Sequence, residues 1–107
     1  MTEKNAQWEG IVGAARVQVQ ERFKEIFQSL DFGAYIRPEH YFVSYIFKTT
    51  EEMNRAEKSG LLEKINDYHR KCLLENGYPQ EAIKDCCFAS QEECEKRYNG
   101  NWFYFYK

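Results

Sequence analysis

The side chains that could carry nucleophilic chemistry are four cysteines and two histidines. His69 and Cys72 stand three residues apart in a segment with helical periodicity, so both can lie on one face of a helix. A thiol beside an imidazole is the arrangement of a cysteine nucleophile and its general base. Neighbours at this spacing also arise by chance, and most such pairs are a core thiol and a structural or surface histidine. A small cysteine-dependent enzyme that uses Cys72 and His69 is therefore kept as an alternative interpretation.

Metal and cofactor chemistry finds less support in the spacing of these residues. Cys86, Cys87 and Cys94 lack the paired C-x-x-C spacing of zinc knuckles and ribbons, and His40 is far from His69 in the chain. The chain contains no phosphate-binding loop, no dinucleotide-binding glycine pattern and no nucleophile elbow. We therefore predict no catalytic residue, no metal site and no cofactor.

The first third of the chain carries a helical pattern. Apolar residues between Trp8 and Leu30 recur at steps of three and four, which predicts a long N-terminal helix over residues 6–30. Gly10 and Gly13 mark the place for a late start or a kink.

The rest of the chain predicts short strands and helices in alternation. Both faces of His40–Thr49 are largely apolar, which is typical of a central strand. Capping-box spacing at Thr49 and Glu52, and again at Ser90 and Glu93, indicates two helix starts. The predicted elements are, in order, a strand over His40–Thr49, helices over 50–59 and 61–76, a strand over Ala82–Ala89, a helix over 91–98 and a strand over Trp102–Tyr106.

This order of elements predicts an α+β fold, with a small mixed sheet of about three strands covered by helices. With 107 residues, of which 17% are aromatic, the chain is expected to form one domain over residues 1–107. No apolar run is long enough to span a membrane, and the polar N-terminus leads into no apolar segment. The sequence therefore predicts a soluble cytoplasmic protein with free thiols.

Negative charge is concentrated between residues 75 and 95, where six carboxylates stand against the single Lys84. The net charge of the whole chain is −2, which gives no basic face for nucleic acid. An acidic patch of this kind could be a solvated surface, or it could meet a basic protein, because complementary charge raises association rates.

The C-terminus contains five successive aromatic residues, Trp102–Tyr106. Aromatic side chains of this kind fill cores and are also enriched in interfaces between proteins. A homo-oligomeric structural module joined through this segment is therefore a further alternative. A stacking platform for RNA is disfavoured by the acidic surroundings.

The segment from Ser90 to Tyr104, SQEECEKRYNGNWFY, resembles the C-terminal part of small bacterial immunity proteins of contact-dependent inhibition and other polymorphic toxin systems. The likeness covers the last third of the chain and includes no diagnostic motif, so no residue role is transferred. The resemblance implies a cytoplasmic protein that binds and blocks one cognate toxin. Many toxins of such systems are basic nucleases, which an acidic surface would suit.

We therefore expect a non-enzymatic protein-binding domain, and most concretely an immunity protein that neutralises a basic toxin domain. The expected partner is another protein rather than nucleic acid or a membrane, and the protein itself is expected to be a monomer or homodimer. The candidate contact residues combine the acidic stretch with two tyrosines: Glu75, Tyr78, Glu81, Asp85, Glu92, Glu93, Glu95 and Tyr98.

Overall fold

Three strands form one mixed sheet in the computed structural model, which describes the backbone of residues 2–106 and the side chains of residues 7–106. The strands are β1 (Gln28–Phe32), β2 (Phe42–Phe47) and β3 (Cys87–Ser90). β2 lies in the centre, antiparallel to β1 and parallel to β3. The predicted α+β fold and the central position of the strand after His40 are confirmed.

Helices surround this sheet and form its connections. Within residues 2–106 they are α1 (Thr2–Arg22), α2 (Thr50–Lys58), α3 (Leu61–Glu75), α4 (Gln91–Tyr98) and α5 (Trp102–Phe105), with 3-10 turns at Pro38–His40 and Gln80–Ala82. The hydroxyls of Thr49 and Ser90 each accept a hydrogen bond of 3.1 Å, from the N–H groups of Glu52 and Glu93 respectively. Both predicted helix starts are therefore confirmed, because these bonds satisfy N–H groups that a helix leaves unpaired.

The first face of the sheet is the side formed by Tyr41, Val43, Tyr45 and Phe47. Each of these four side chains is at most 1% exposed. Helices α1 and α3 pack against each other and cover this side, with apolar residues of both in the same core cluster. Burying one such side chain stabilises a protein by about 1.5–3 kcal/mol, so this layer holds the fold together.

The second face is the opposite side of β2, formed by Phe42, Ser44 and Ile46, and its cover is thinner. Tyr106, just after α5, packs its ring on Phe42 with centroids 4.8 Å apart, and its hydroxyl lies 2.5 Å from the Ser44 hydroxyl. The ring of Phe32 stacks on Phe42 at 5.5 Å but remains 44% exposed. Ser44 and Ile46 are 0% exposed, so this side of the sheet is accessible only at the edge beside Phe32.

The predicted N-terminal helix over residues 6–30 is wrong at its C-terminal end. α1 ends at Arg22, and β1 follows after a turn in which the N–H of Ile26 bonds the carbonyl of Phe23. The N–H of Phe27 then donates to the carbonyl of Ile46 and opens the strand ladder. α1 also continues without a break through the two glycines at which the sequence predicts a late start or a kink.

The strand signal of β1 is hidden because the side chains that β1 turns towards α1 are polar. Arg16 of α1 donates from Nε to the carboxylate of Asp31 at 2.5 Å and from Nη1 to the hydroxyl of Ser29 at 2.9 Å. The Ser29 hydroxyl in turn donates to the side-chain oxygen of Gln20 at 2.7 Å. A polar inward side removes the usual alternation of apolar and polar residues, and the apolar residues left over fit a helical spacing.

The predicted strand over Trp102–Tyr106 is also wrong, because this segment forms the short helix α5. The side-chain oxygen of Asn101 accepts a hydrogen bond from the N–H of Tyr104 at 3.2 Å and caps that helix. The predicted strand over Ala82–Ala89 exists in its C-terminal part only, as β3. The third strand of the sheet is therefore β1 and not the C-terminal segment.

The length and hydropathy of the helices can be compared with what a membrane-spanning helix requires. Over residues 2–106, no helix combines the length and the apolar composition that are needed to cross a bilayer.

Candidate functional site

The six carboxylates of the predicted acidic patch do not share one surface. The N–H of Glu92 donates to the carbonyl of Lys48, which places α4 beside the end of β2. The turn that contains Glu81 instead contacts the turn before the start of β2, and Asp85 follows Lys84, whose backbone bonds the Tyr41 hydroxyl. A strand of six residues spans roughly 17 Å. The expected continuous patch is therefore wrong, because β2 separates Glu81 and Asp85 from Glu92, Glu93 and Glu95, while Glu75 lies at the end of α3.

Several of these carboxylates are also paired with basic residues outside the acidic stretch. Asp85 accepts from Arg70 at 3.0 Å, while Glu92 and Glu93 pair with the basic residues four positions later at 3.4 and 3.1 Å. Glu92 also accepts a hydrogen bond from the N–H of Thr50, and this bond lowers the pKa of the Glu92 carboxyl. Glu92 therefore links α4 to the start of α2 and has a structural role.

The two predicted aromatic contacts have different outcomes. Tyr78 is 2% exposed, its ring packs on Trp8 and Tyr41, and its hydroxyl donates to the carbonyl of Pro38. The prediction that Tyr78 is a surface contact is therefore wrong. Tyr98 is half-buried at the end of α4, with its ring 5.7 Å from that of Phe105 in α5.

Glu95 and Tyr98 lie three positions apart on one face of α4, and Tyr98 contacts α5, so we define the α4–α5 surface by four residues: Glu95, Tyr98, Phe103 and Tyr104. Phe103 and Tyr104 are 68% and 54% exposed, although both belong to a segment that is otherwise packed on the second face. Glu95 accepts a hydrogen bond from the neutral Gln91 amide at 3.0 Å. The sequence indicated the aromatic composition of this surface, but the strand prediction hid which rings point outward.

The candidate catalytic histidine, His69, belongs to a buried polar network on the first face. The Tyr45 hydroxyl lies 2.9 Å from its Nδ1 and the Tyr41 hydroxyl 3.4 Å from its Nε2. The Tyr41 hydroxyl also donates to the carbonyl of Lys84 at 2.6 Å and accepts from the Lys84 N–H at 2.8 Å. Because the Tyr41 proton is directed to Lys84, the ring of His69 must donate from Nε2 to Tyr41 and accept at Nδ1 from Tyr45.

This tautomer leaves every member of the network with a partner while His69 is neutral. Burial lowers the pKa of His69 to about 4, and the nearby positive charge of Arg70 acts in the same direction. Burial likewise raises the pKa of Tyr41 to about 12 and that of Tyr45 further. The network is therefore uncharged at neutral pH and can tie α3 to β2 without an ionic cost.

The geometry of Cys72 gives little support to a cysteine nucleophile. Both ring nitrogens of His69 face tyrosine hydroxyls, so neither is directed at the Cys72 thiol. Burial raises the pKa of Cys72, whereas an activated thiol needs a lowered one. Cys72, Cys86 and Cys94 are buried free thiols, and Cys87 is an exposed one.

Metal binding requires several ligand side chains that converge on one point. In the part of the chain with described side chains, no three His, Cys, Asp or Glu residues are grouped so that they could hold an ion. The described side chains thus offer a buried polar network and an exposed surface that combines aromatic rings with carboxylates.

Comparison with protein-family models, with curated proteins and with solved structures found no match to this chain.

Proposed function

We propose that this protein is a protein-binding domain and that its partner docks on the α4–α5 surface. The observation that carries the proposal is the exposure of Phe103 and Tyr104, at 68% and 54%, on the short helix that contacts α4 through the rings of Phe105 and Tyr98. Aromatic side chains bury a large area on contact and are enriched among the residues that dominate binding energy. The two exposed rings are therefore the proposed contact points for the partner.

The charge of the surface supports a basic partner. Glu95 is exposed, and its hydrogen-bond partner is a neutral amide, so a partner's lysine or arginine can pair with it without displacing another cation. The ion pairs of Glu92 and Glu93 reduce the charge that is available for steering, so the aromatic contacts supply most of the affinity.

The more specific version of the proposal is an immunity protein of a toxin system, which acts in the cytoplasm by blocking a basic toxin domain. Its support is the resemblance of Ser90–Tyr104, which contains the α4–α5 surface, to the C-terminal part of such proteins. A protein of this kind needs only a binding surface, because occlusion of the toxin is sufficient to neutralise it.

The test measures binding to a basic toxin domain encoded beside the gene for this chain. The double variant Phe103→Ala/Tyr104→Ala should weaken binding by at least about thirtyfold, since aromatic anchors of an interface contribute about 1–2 kcal/mol or more each. The matched control is Val17→Ala/Leu74→Ala, which removes side chains of similar exposure (53% and 51%) from the helices on the first face. Equal affinities for the two double variants would rule out the α4–α5 surface.

The charge contribution is tested separately through association rates at increasing salt. Glu95→Lys should slow association with the basic domain, while Glu57→Lys, an equal change at an exposed position of α2, should leave the rate near that of the unmodified chain. Co-expression with the toxin domain then tests immunity itself, since a neutralising protein restores growth and a binding protein of another kind does not.

A further inference from the structure

A cleft of about 710 Å³ lies between the turn that joins α1 to β1, the end of β2 and helix α2. This volume lies within the range of about 300–1,000 Å³ that is usual for small-molecule sites. The cleft is outside the carboxyl end of β2, which runs parallel to β3 in this sheet.

The floor of the cleft is apolar and already ordered. Ile26, Phe47 and Ala56 contribute to it and are 5%, 1% and 5% exposed, so the side chains beneath a ligand are fixed by the core. Phe27 and Leu61 form more exposed walls, and Phe27 is 50% exposed. The apolar surface that a ligand can cover is therefore mainly that of Phe27 and Leu61, and each Å² of it removed from water contributes about 25 cal/mol.

The rim of the cleft carries more positive than negative charge. Lys24, Lys48 and Arg55 line it, against Glu25 and Glu52. Among the described residues, Lys24 and Lys48 take part in no ion pair, and Arg55 has only a loose one of 3.8 Å with the exposed Glu51. These cations can therefore meet an anion without breaking a strong existing pair.

We propose that this cleft binds a small amphipathic anion, with its apolar body on the floor and its anionic group beside Lys24 and Lys48. The cleft adjoins a groove in which Phe27 and Lys48 lie with Glu95 of α4, but the proposal does not depend on a protein partner. The ligand class follows from the two features above: an apolar body for the preformed floor, and one negative charge for the excess of cations at the rim.

The experiment uses the full chain and two fluorescent probes of similar shape. 8-Anilino-1-naphthalenesulfonate has an aromatic body and one negative charge, whereas N-phenyl-1-naphthylamine has a comparable body and no charge. The sulfonate should bind saturably to the folded chain. Lys24→Gln/Lys48→Gln should weaken the sulfonate about fivefold, the size expected for two exposed charge contacts, and change binding of the neutral probe less than about twofold.

Two further variants make the result specific. Phe27→Ser should weaken both probes, because it removes an apolar wall at a position exposed enough to tolerate the change. Lys58→Gln/Lys71→Gln removes two exposed lysines outside the cleft and should leave both affinities unchanged. Thermal melting of each variant checks that probe binding is compared between folded chains.

Three outcomes would overturn the proposal. Sulfonate binding that is unaffected by Lys24→Gln/Lys48→Gln would exclude the charged rim. Equal weakening by the control pair of lysines would indicate non-specific attraction. Loss of the probe in Phe103→Ala/Tyr104→Ala, with binding retained in Phe27→Ser, would place the probe on the aromatic C-terminal segment instead of in the cleft.

Discussion

The first face of the sheet meets α1 and α3 through side chains that are almost fully buried, whereas the second face meets mainly the short helices α4 and α5. On the first face, the hydroxyls of Tyr41 and Tyr45 and both nitrogens of His69 have partners. On the second side, the indole N–H of Trp102 is buried with no acceptor among the described residues, and Phe32 remains 44% exposed. Ser44 and Ile46 at the centre of the second face are nevertheless 0% exposed, so the difference between the two faces lies at the edge of the second one, where Phe32 and the outer rings of α5 remain accessible.

The largest difference is expected between the reactivity of the exposed thiol on the second face and that of the buried thiols. Cys87 is exposed on the second side of the sheet, while Cys72, Cys86 and Cys94 are buried and react only after the structure opens. We expect one thiol per chain to react with a maleimide at least about a thousandfold faster than the other three, since opening a core costs about 4 kcal/mol or more.

The reactive thiol can be identified by substitution, because Cys87→Ser should remove the fast phase and leave three slow thiols. In urea all four should react alike. A fast phase that instead disappears in Cys72→Ser would contradict the buried assignment and would support the cysteine-dependent enzyme.

Truncation of aromatic rings on the two sides should give very different losses of stability. Phe47→Ala empties a position that is 1% exposed, and we expect the free energy of unfolding to fall by about 3–5 kcal/mol. Phe103→Ala removes a ring that is 68% exposed and should cost less than about 1 kcal/mol. Urea denaturation followed by circular dichroism measures both, and similar losses would mean that the two sides are equally important for stability.

The buried histidine gives the first face a dependence on pH. The pKa of His69 in the folded state, about 4, is below its ordinary value of 6.5, so the neutral form stabilises the fold. This stability is complete above pH 6.5 and is lost as the pH falls towards 4, with a total of about 3 kcal/mol. The positive charge of Arg70 and the negative charge of Asp85 act on the ring in opposite directions, and burial is the largest cause.

The measurement compares the free energy of unfolding of the natural chain with that of His69→Gln at pH 7.5 and pH 5. Carboxylates remote from His69 titrate equally in both proteins, so the difference between the two reports His69 together with its charge interaction with Asp85. The natural chain should lose more stability than the variant on acidification. Parallel losses would show that His69 is not held neutral by the fold.

The sequence predicted those elements whose side chains follow their usual pattern. The alternating aromatic and aliphatic residues of β2, and the capping hydroxyls of Thr49 and Ser90, were sufficient to place that strand and the starts of α2 and α4. β1 could not be predicted because its inward positions, Ser29 and Asp31, are polar and are satisfied only by Arg16 from a different element. A long-range ion pair of this kind leaves no local periodicity.

The candidate site was predicted less well, for a related reason. Counting charge along the chain between residues 75 and 95 omits basic residues that meet those carboxylates from outside the segment, such as Arg70 and Arg97. A count of charge along the chain also cannot show that β3 runs between Asp85 and Glu92, so that these two carboxylates lie at opposite ends of the sheet. The α4–α5 surface depends on which rings of a four-residue helix point outward, and composition alone does not determine this.

The smallest expected losses in the free energy of unfolding come from the removal of single hydroxyl groups. Because one hydroxyl can be removed on each face, these substitutions give the most direct comparison of the two faces. Tyr45→Phe keeps the buried ring but leaves Nδ1 of His69 without a donor in a site that water does not reach, so the free energy of unfolding should fall by about 1–2 kcal/mol. Tyr106→Phe removes the bond to the Ser44 hydroxyl on the second side. Tyr106 is partly exposed, and its loss should cost about 0.5–1 kcal/mol.

Tyr45→Phe and Tyr106→Phe each remove one hydroxyl oxygen and keep the ring. The difference between their losses in the free energy of unfolding therefore measures how completely each hydroxyl is buried and hydrogen-bonded. Adding His69→Gln to Tyr45→Phe completes the comparison, because the cost of the hydroxyl should shrink once the imidazole acceptor is absent. Tyr106→Phe should be additive with His69→Gln, since the sheet lies between Tyr106 and that ring. Coupling between Tyr106 and His69 as strong as that between Tyr45 and His69 would contradict the separation of the two faces.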